Sequence, residues 1–229
     1  MAVRTHMRWW LLAAALAGAL LVTAACNGGG DGPPKDTEEL LRLIVLRLDD
    51  LPGGYIEEEG TFSSNEDVAL GDEERLAELQ AQGRLLGFSV DFARGDVSAE
   101  DAPFFGVESS ASLYESADGA SDSFDLAVKE ARETDWEAQL GFGETQTQEV
   151  DRSLADATFW LRVTGLAEIG EPPTSVLVID DHILIRQGRA RAFLRVSSAV
   201  EGSSDRDALI EEVAKLAELE ARRMEDSLD

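Results

Sequence analysis

From Asp36 onward the apolar positions fall at two spacings, one helical and one alternating, and the switches between them mark out elements. Leu40, Leu41, Ile44, Val45 and Leu48 recur at helical spacing. Asp36 stands where an N-cap belongs, Glu39 follows three residues on, and Pro52-Gly53-Gly54 closes the segment. A second helix is expected over about 72–82. It opens on Asp72-Glu73-Glu74, where acids suit the positive end of the helix dipole, and stops at Gly83. Arg84 to Phe92 and Val107 to Tyr114, rich in alternating, β-branched and aromatic residues, predict two strands separated by a loop carrying Pro103. A further helix is expected from Ser121 to about Trp136, with Phe124, Leu126, Ala127, Val128 and Ala131 among its charges.

The last third changes rhythm. Thr158 to Gly165, Ser175 to Ile179, Ile183 to Ile185 and Arg189 to Ser197 are short apolar or alternating runs, broken by Pro172-Pro173, Asp180-Asp181 and Gln187-Gly188; they predict an antiparallel meander with turns at the breaks. The closing segment, from Ser204 or Asp205 to Leu228, puts Leu209, Val213, Leu216, Ala217, Met224 and Leu228 on one stripe with charges elsewhere, an amphipathic helix for the sheet. Helix, strands, helix, strands, helix is the order of an α+β fold in which helices cover an antiparallel sheet, here residues 36–229 as a single extracytoplasmic domain.

Residues 1–25 obey a different logic. Arg4 and Arg8 give a positive start, Trp9 to Val22 is an uncharged apolar run, and Thr23-Ala24-Ala25 is a small-residue exit, which together read as a removable signal peptide. Asn27 to Lys35 holds a Gly/Pro stretch that cannot continue a helix, so residues 26–35 are expected to be a tether. Leu21-Val22-Thr23-Ala24-Ala25-Cys26 resembles the lipobox of bacterial lipoproteins. That resemblance implies that Cys26 carries the lipid and becomes the first residue of the mature chain, which makes the membrane a partner through the anchor. Two acyl chains, at about 0.8 kcal/mol per buried methylene, hold a protein stably on a bilayer. The expected location is the cell membrane, facing outside the cytoplasm.

Charge and composition then exclude whole classes. The formal net charge is −26 at pH 7, and loss of the first 25 residues removes two arginines and no acid. Such a surface repels nucleic acid, and no nucleic-acid partner is expected. Cys26 is the single Cys and the two histidines are His6 and His182, so a disulfide framework, a Cys/His dyad and a zinc site of several His or Cys ligands are all ruled out by count. Gly-x-Ser-x-Gly, Ser-x-x-Lys, phosphate-binding glycine loops and His-Glu-x-x-His are absent, so the sequence assigns no catalytic residue, metal ligand or cofactor.

What remains are candidates for binding. Period-two geometry places Arg189, Arg191 and Arg195 on one strand face with Phe193, and Arg186 lies just before them. Guanidinium groups so arrayed can take an anionic ligand, whereas neutralisation by Asp and Glu of neighbouring elements is the simpler reading. Asp180-Asp181-His182 can be drawn as a metal or acid/base site, but its position between two apolar runs favours a turn. Trp136, Phe159, Trp160 and Phe193 can line an apolar cavity between sheet and helices or simply pack the core. Acidic pairs such as Asp49-Asp50 and Glu57-Glu58-Glu59 lack the loop spacing of a calcium hand.

Leu48-Asp49-Asp50-Leu51-Pro52-Gly53-Gly54-Tyr55, the Gly188 that opens an alternating strand and the long closing helix together resemble uncharacterised lipoproteins of actinobacterial and Chloroflexi type. These are similar in turn to extracellular sensor domains of bacterial serine/threonine kinases and to PsbP-type folds. The resemblance covers most of residues 38–226 and carries over no catalytic residue. It implies a non-enzymatic ligand-binding or sensing module. The alternatives are a structural module that docks an envelope protein, and a carboxylate hydrolase, which needs two carboxyl groups about 5 to 9.5 Å apart across a cleft.

Overall fold

The computed structural model describes residues 36–95, 103–169, 174–200 and 206–228. The signal segment 1–25, Cys26, the tether to Lys35, the break at Pro172-Pro173 and the expected helix start at Ser204 or Asp205 lie outside the described residues.

Helix α1 (Thr37–Ile44) forms where expected, with Glu38 and Glu39 in its first turn, although the Asp36 side chain caps nothing. It stops at Ile44, earlier than the periodicity suggests, because Val45 turns extended and the Leu46 N–H leaves the helix to donate to Ser109 Oγ at 3.0 Å. A single 3₁₀ turn at Leu48–Asp50 leads to strands β1 (Tyr55–Glu57) and β2 (Thr61–Ser63). Helices α2 (Asn65–Ala69) and α3 (Glu73–Ala81) follow, the latter capped by Asp72, whose carboxylate accepts from the Glu74 and Arg75 N–H groups. Strands β3 (Arg84–Arg94) and β4 (Phe104–Tyr114) are longer than the sequence pattern indicated.

The helix expected from Ser121 to Trp136 is two helices. Ser116 caps α4 (Ala117–Glu133), the chain breaks at Thr134, and Trp136 opens α5 (Trp136–Leu140), which ends on Gly141 in the left-handed region at φ 67°. Then come β5 (Gly143–Glu149), β6 (Ala157–Ile169), β7 (Thr174–Gln187), β8 (Ala190–Val200) and α6 (Arg206–Leu228).

All eight strands join one antiparallel sheet in the order β1-β3-β4-β8-β7-β6-β5, with β1 and β2 pairing in tandem along the same edge of β3. The fold class is α+β, an antiparallel sheet covered by helices, closed by a long C-terminal helix. Strand alternation divides the core in two. One sheet face carries Trp160, Ile179, Ile183, Ile185 and Leu194 against Leu41 and Ile44 of α1 and Val213, Ala217 and Met224 of α6. The other carries Phe159, Leu161, Val163 and Leu184 against Phe124 and Val128 of α4 and Trp136 of α5.

The turn expected at Asp180-Asp181 does not exist. Both residues sit in the middle of β7, an unbroken strand paired with β6 on one side and β8 on the other. Each aspartate is buried against a cation on its own face, so turn propensity loses to charge pairing. Asp181 faces α6 and accepts from Arg162 Nε at 2.8 Å and Nη2 at 2.7 Å and from Trp160 Nε1 at 2.7 Å. Asp180 faces α4.

Candidate functional site

The α4 face of the sheet is incompletely covered. Helix α4 crosses above β4, β8 and β7, and between it, α5 and the strands lies a recess of about 420 Å³. That size falls in the range of small-molecule sites. Its aromatic wall is Trp136 at the start of α5, Phe159 of β6 and Phe193 of β8, with Leu184 beside them. Trp136 is fixed by its indole N–H, which donates to the Ala131 carbonyl at 2.9 Å, and its ring tilts 50° against His182 at a centroid distance of 4.4 Å. Phe193 lies 6.0 Å from the same imidazole. Trp160, grouped with these aromatics in the sequence reading, has the opposite parity on β6 and packs into the α6 core instead.

The floor is polar and comes from adjacent strands in register. Glu108 of β4 pairs with Arg195 of β8, and Arg195 pairs in turn with His182 of β7; Ser110 is opposite Phe193 and Ser112 opposite Arg191. Asp180 anchors this floor from beneath, at 1% exposure. It accepts from Arg195 through Nε at 3.1 Å and Nη2 at 2.8 Å and from Ser197 Oγ at 2.7 Å, and its Oδ2 is 3.2 Å from His182 Nε2. Burial works against its charge. The hydrogen bond and charge of His182 and the paired Arg195 outweigh that penalty and hold the carboxyl well below the usual carboxylate range. Glu108 behaves oppositely: burial and the neighbouring Asp91 carboxylate push its carboxyl up, against the pull of Arg195 and His182. Asp91, the register partner of Glu108 on β3, is raised as well, by burial and by Glu58.

Of the four arginines singled out from sequence, two reach the recess. Arg195 lines it with its guanidinium bound to Asp180, and Arg191 lines it with Nη1 donating to Ser123 O at 3.0 Å and Ser123 Oγ at 2.8 Å. Arg186, at the end of β7, pairs with Asp156 at 3.4 Å; Arg189, in the turn before β8, donates to the Tyr114 carbonyl at 3.4 Å. Neither lines the recess. Cys26, the expected lipid site, lies outside the described residues.

Sequence reading did not single out Glu108 and Ser110 of β4 or Glu130 and Thr134 at the α4 rim, which also line the recess. A signal for the first two was present: along β4, Val107, Ser109, Ala111 and Leu113 alternate with Glu108, Ser110 and Ser112, which marks a polar second face. The rim residues needed the break at Thr134. Among the described residues no group of three or more His, Cys, Asp and Glu side chains is placed to hold a metal ion, and no helix is long and apolar enough to cross a membrane.

No family model matches the chain, and no curated protein matches it. Among solved structures, the extracellular domain of PknH from Mycobacterium tuberculosis is similar to this chain. It aligns over 86% of this chain and 98% of that one, with a TM-score of 0.45 and 11% sequence identity.

Proposed function

We propose that this protein is a lipid-anchored extracytoplasmic module that binds a small molecule in the recess between α4, α5 and the sheet, without transforming it. The observation that carries this reading is the recess itself: an aromatic wall of Trp136, Phe159 and Phe193 over a floor of Glu108, Ser110, Arg191 and Arg195. Such a pairing of apolar surface with a few convergent polar groups buries a ring and orients its substituents. Asp180 is saturated by Arg195, Ser197 and His182, which fixes the Arg195 guanidinium in the floor. A flat face would have suited docking of another envelope protein better; the concavity favours the small ligand. The anchor rests on the lipobox residues that end in Cys26.

The test is calorimetric. The full-length protein in lipid nanodiscs, with empty nanodiscs as the blank, is titrated with neutral 2-naphthalenemethanol. Wild type is expected to bind the probe, and Ala131→Trp, which fills the recess from α4, is expected to lose binding while keeping its melting temperature within a few degrees. Absence of binding to wild type would remove the reading.

A further inference from the structure

Among the described residues, the guanidinium groups of Arg84 and Arg191 on the α4 face of the sheet hydrogen-bond to no carboxylate, and Asp67 acts on Arg84 only from a longer distance. Arg84 is 7% exposed, and its hydrogen-bond acceptors are all neutral: Ser63 O and Asn65 Oδ1 at 3.1 Å from Nη1, Ser63 Oγ at 2.9 Å from Nη2, and Ser112 Oγ at 3.3 Å from Nε. Arg191 is held only by the carbonyl and hydroxyl oxygens of Ser123. The two are neighbours across β4. The Arg84 guanidinium lies over Gly87, where a Cβ would meet Nη2 at 2.1 Å; Gly87 is the register partner of Ser112, and Ser112 that of Arg191. β3 and β8 flank β4, so the two strands that carry these cations run about 10 Å apart.

This arrangement is costly in a chain with 46 acidic and 20 basic residues, where a carboxylate for each was readily available. On the same face Arg195 and Arg186 both have one, Asp180 and Asp156 respectively. Serines 63, 112 and 123 instead satisfy donors of Arg84 and Arg191 without an ion pair, and Asp67 offsets the Arg84 charge only from a distance. Arg191 opens into the recess, with Phe193 next along its strand face and Arg195 beyond. Same-face residues on a strand are about 6.6 Å apart. A ring stacked on Phe193 therefore places one substituent at Arg191 and another at Glu108 and Arg195.

We propose that the Arg191 end of the recess, backed by the buried charge of Arg84, is an oxyanion site, and that the ligand is a flat-ringed small molecule bearing a carboxylate or a phosphate. The inference rests on the recess being the binding site and adds the chemistry of what fills it. The sequence stripe located the charge only in part: Arg186 and Arg195 are paired with Asp156 and Asp180, Arg189 lies outside the recess on the Tyr114 carbonyl, and Arg84 comes from another strand.

The decisive comparison uses 2-naphthoate, 2-naphthyl phosphate and 2-naphthalenemethanol on the full-length protein in nanodiscs. At least one of the two anions is expected to bind about tenfold or more tightly than the alcohol, as a charge-assisted hydrogen bond provides, and the one that gains identifies carboxylate or phosphate as the preferred group. Arg191→Gln is expected to erase that preference, read as the ratio of anion to alcohol affinity in the same variant, and Arg191→Lys to restore part of it. Equal affinity of all three for wild type overturns the oxyanion site and leaves the recess reading standing. Preference retained in a folded Arg191→Gln overturns the assignment to Arg191. Binding of none of the three overturns both readings. Should Arg191→Gln fail to give a cooperative melt, the wild-type series alone decides.

Discussion

Glu220 is the residue most at odds with its surroundings. It lies on α6 with 0% exposure, its Oε1 accepts from Ser109 Oγ at 2.7 Å, and its Oε2 has no partner. Burial pushes its carboxyl up to about 8, although Ser109 and Arg223 pull the other way. The folded chain therefore keeps this proton to about pH 8, whereas the unfolded chain releases it near the ordinary value of 4.5. Protons bound to the folded state alone are lost as pH rises, so this group lowers stability progressively from about pH 4.5 to about pH 8, by up to about 1.4 kcal/mol per unit, and has no further effect above. Glu220→Gln is expected to flatten that slope: melting temperatures of wild type and variant should converge near pH 5 and separate by pH 8, with the variant higher. Parallel curves would mean that the carboxyl is solvated. The clue was in the sequence, since Leu216, Ala217, Glu220 and Met224 continue one helical stripe, yet a rule that assigns charges to the outer face passes over it. Asp181 misled in the same way, because its partners Arg162 and Trp160 come from another strand and no local pattern announces them.

At the scale of elements, what was legible followed periodicity and what was not followed pairing between distant segments. The long alternating strands and α6 announced themselves through burial of one face. β5 did not, because Gly143–Glu149 is polar on both faces and exposed at the sheet edge; only its ladder to β6 makes it a strand. β7 was read as two pieces for the opposite reason, with charges inside a buried run. The recess inherits this division: Arg191 and Phe193 were visible from strand parity, whereas Arg84 and Glu108 became neighbours of them only through the registers of β3, β4 and β8. The start of α4 is equally a tertiary matter. A Cβ on Gly119 would stand 1.9 Å from the Gln82 carbonyl oxygen, so this first turn rests directly on the turn before β3. Gly119→Ala is expected to cost about 1–3 kcal/mol, the range for forced overpacking, in urea unfolding. Gly53→Ala, with nothing within 4 Å of the added carbon, serves as the control and should stay near wild type.

At the scale of the whole molecule, the proposed anchor would set where any ligand is met. Native protein is expected in the membrane fraction with an acylated Cys26, and a Cys26→Ser variant to be released or left unprocessed; intact mass and fractionation read both, and an unmodified, soluble wild type would move the search for ligands away from the envelope. The strand order carries a different consequence. Among the described residues β8 is the last strand but sits at the centre of the sheet, between β4 and β7, and it alone joins the β1–β4 half to the β5–β7 half. A chain that emerges N-terminus first thus cannot close its sheet until nearly all of it is available. Until then β4 and β7 each show an open edge to their surroundings. The topology delays closure of the sheet until the chain is nearly complete, and makes those two edges the places where a newly made molecule is most exposed to mispairing with its neighbours.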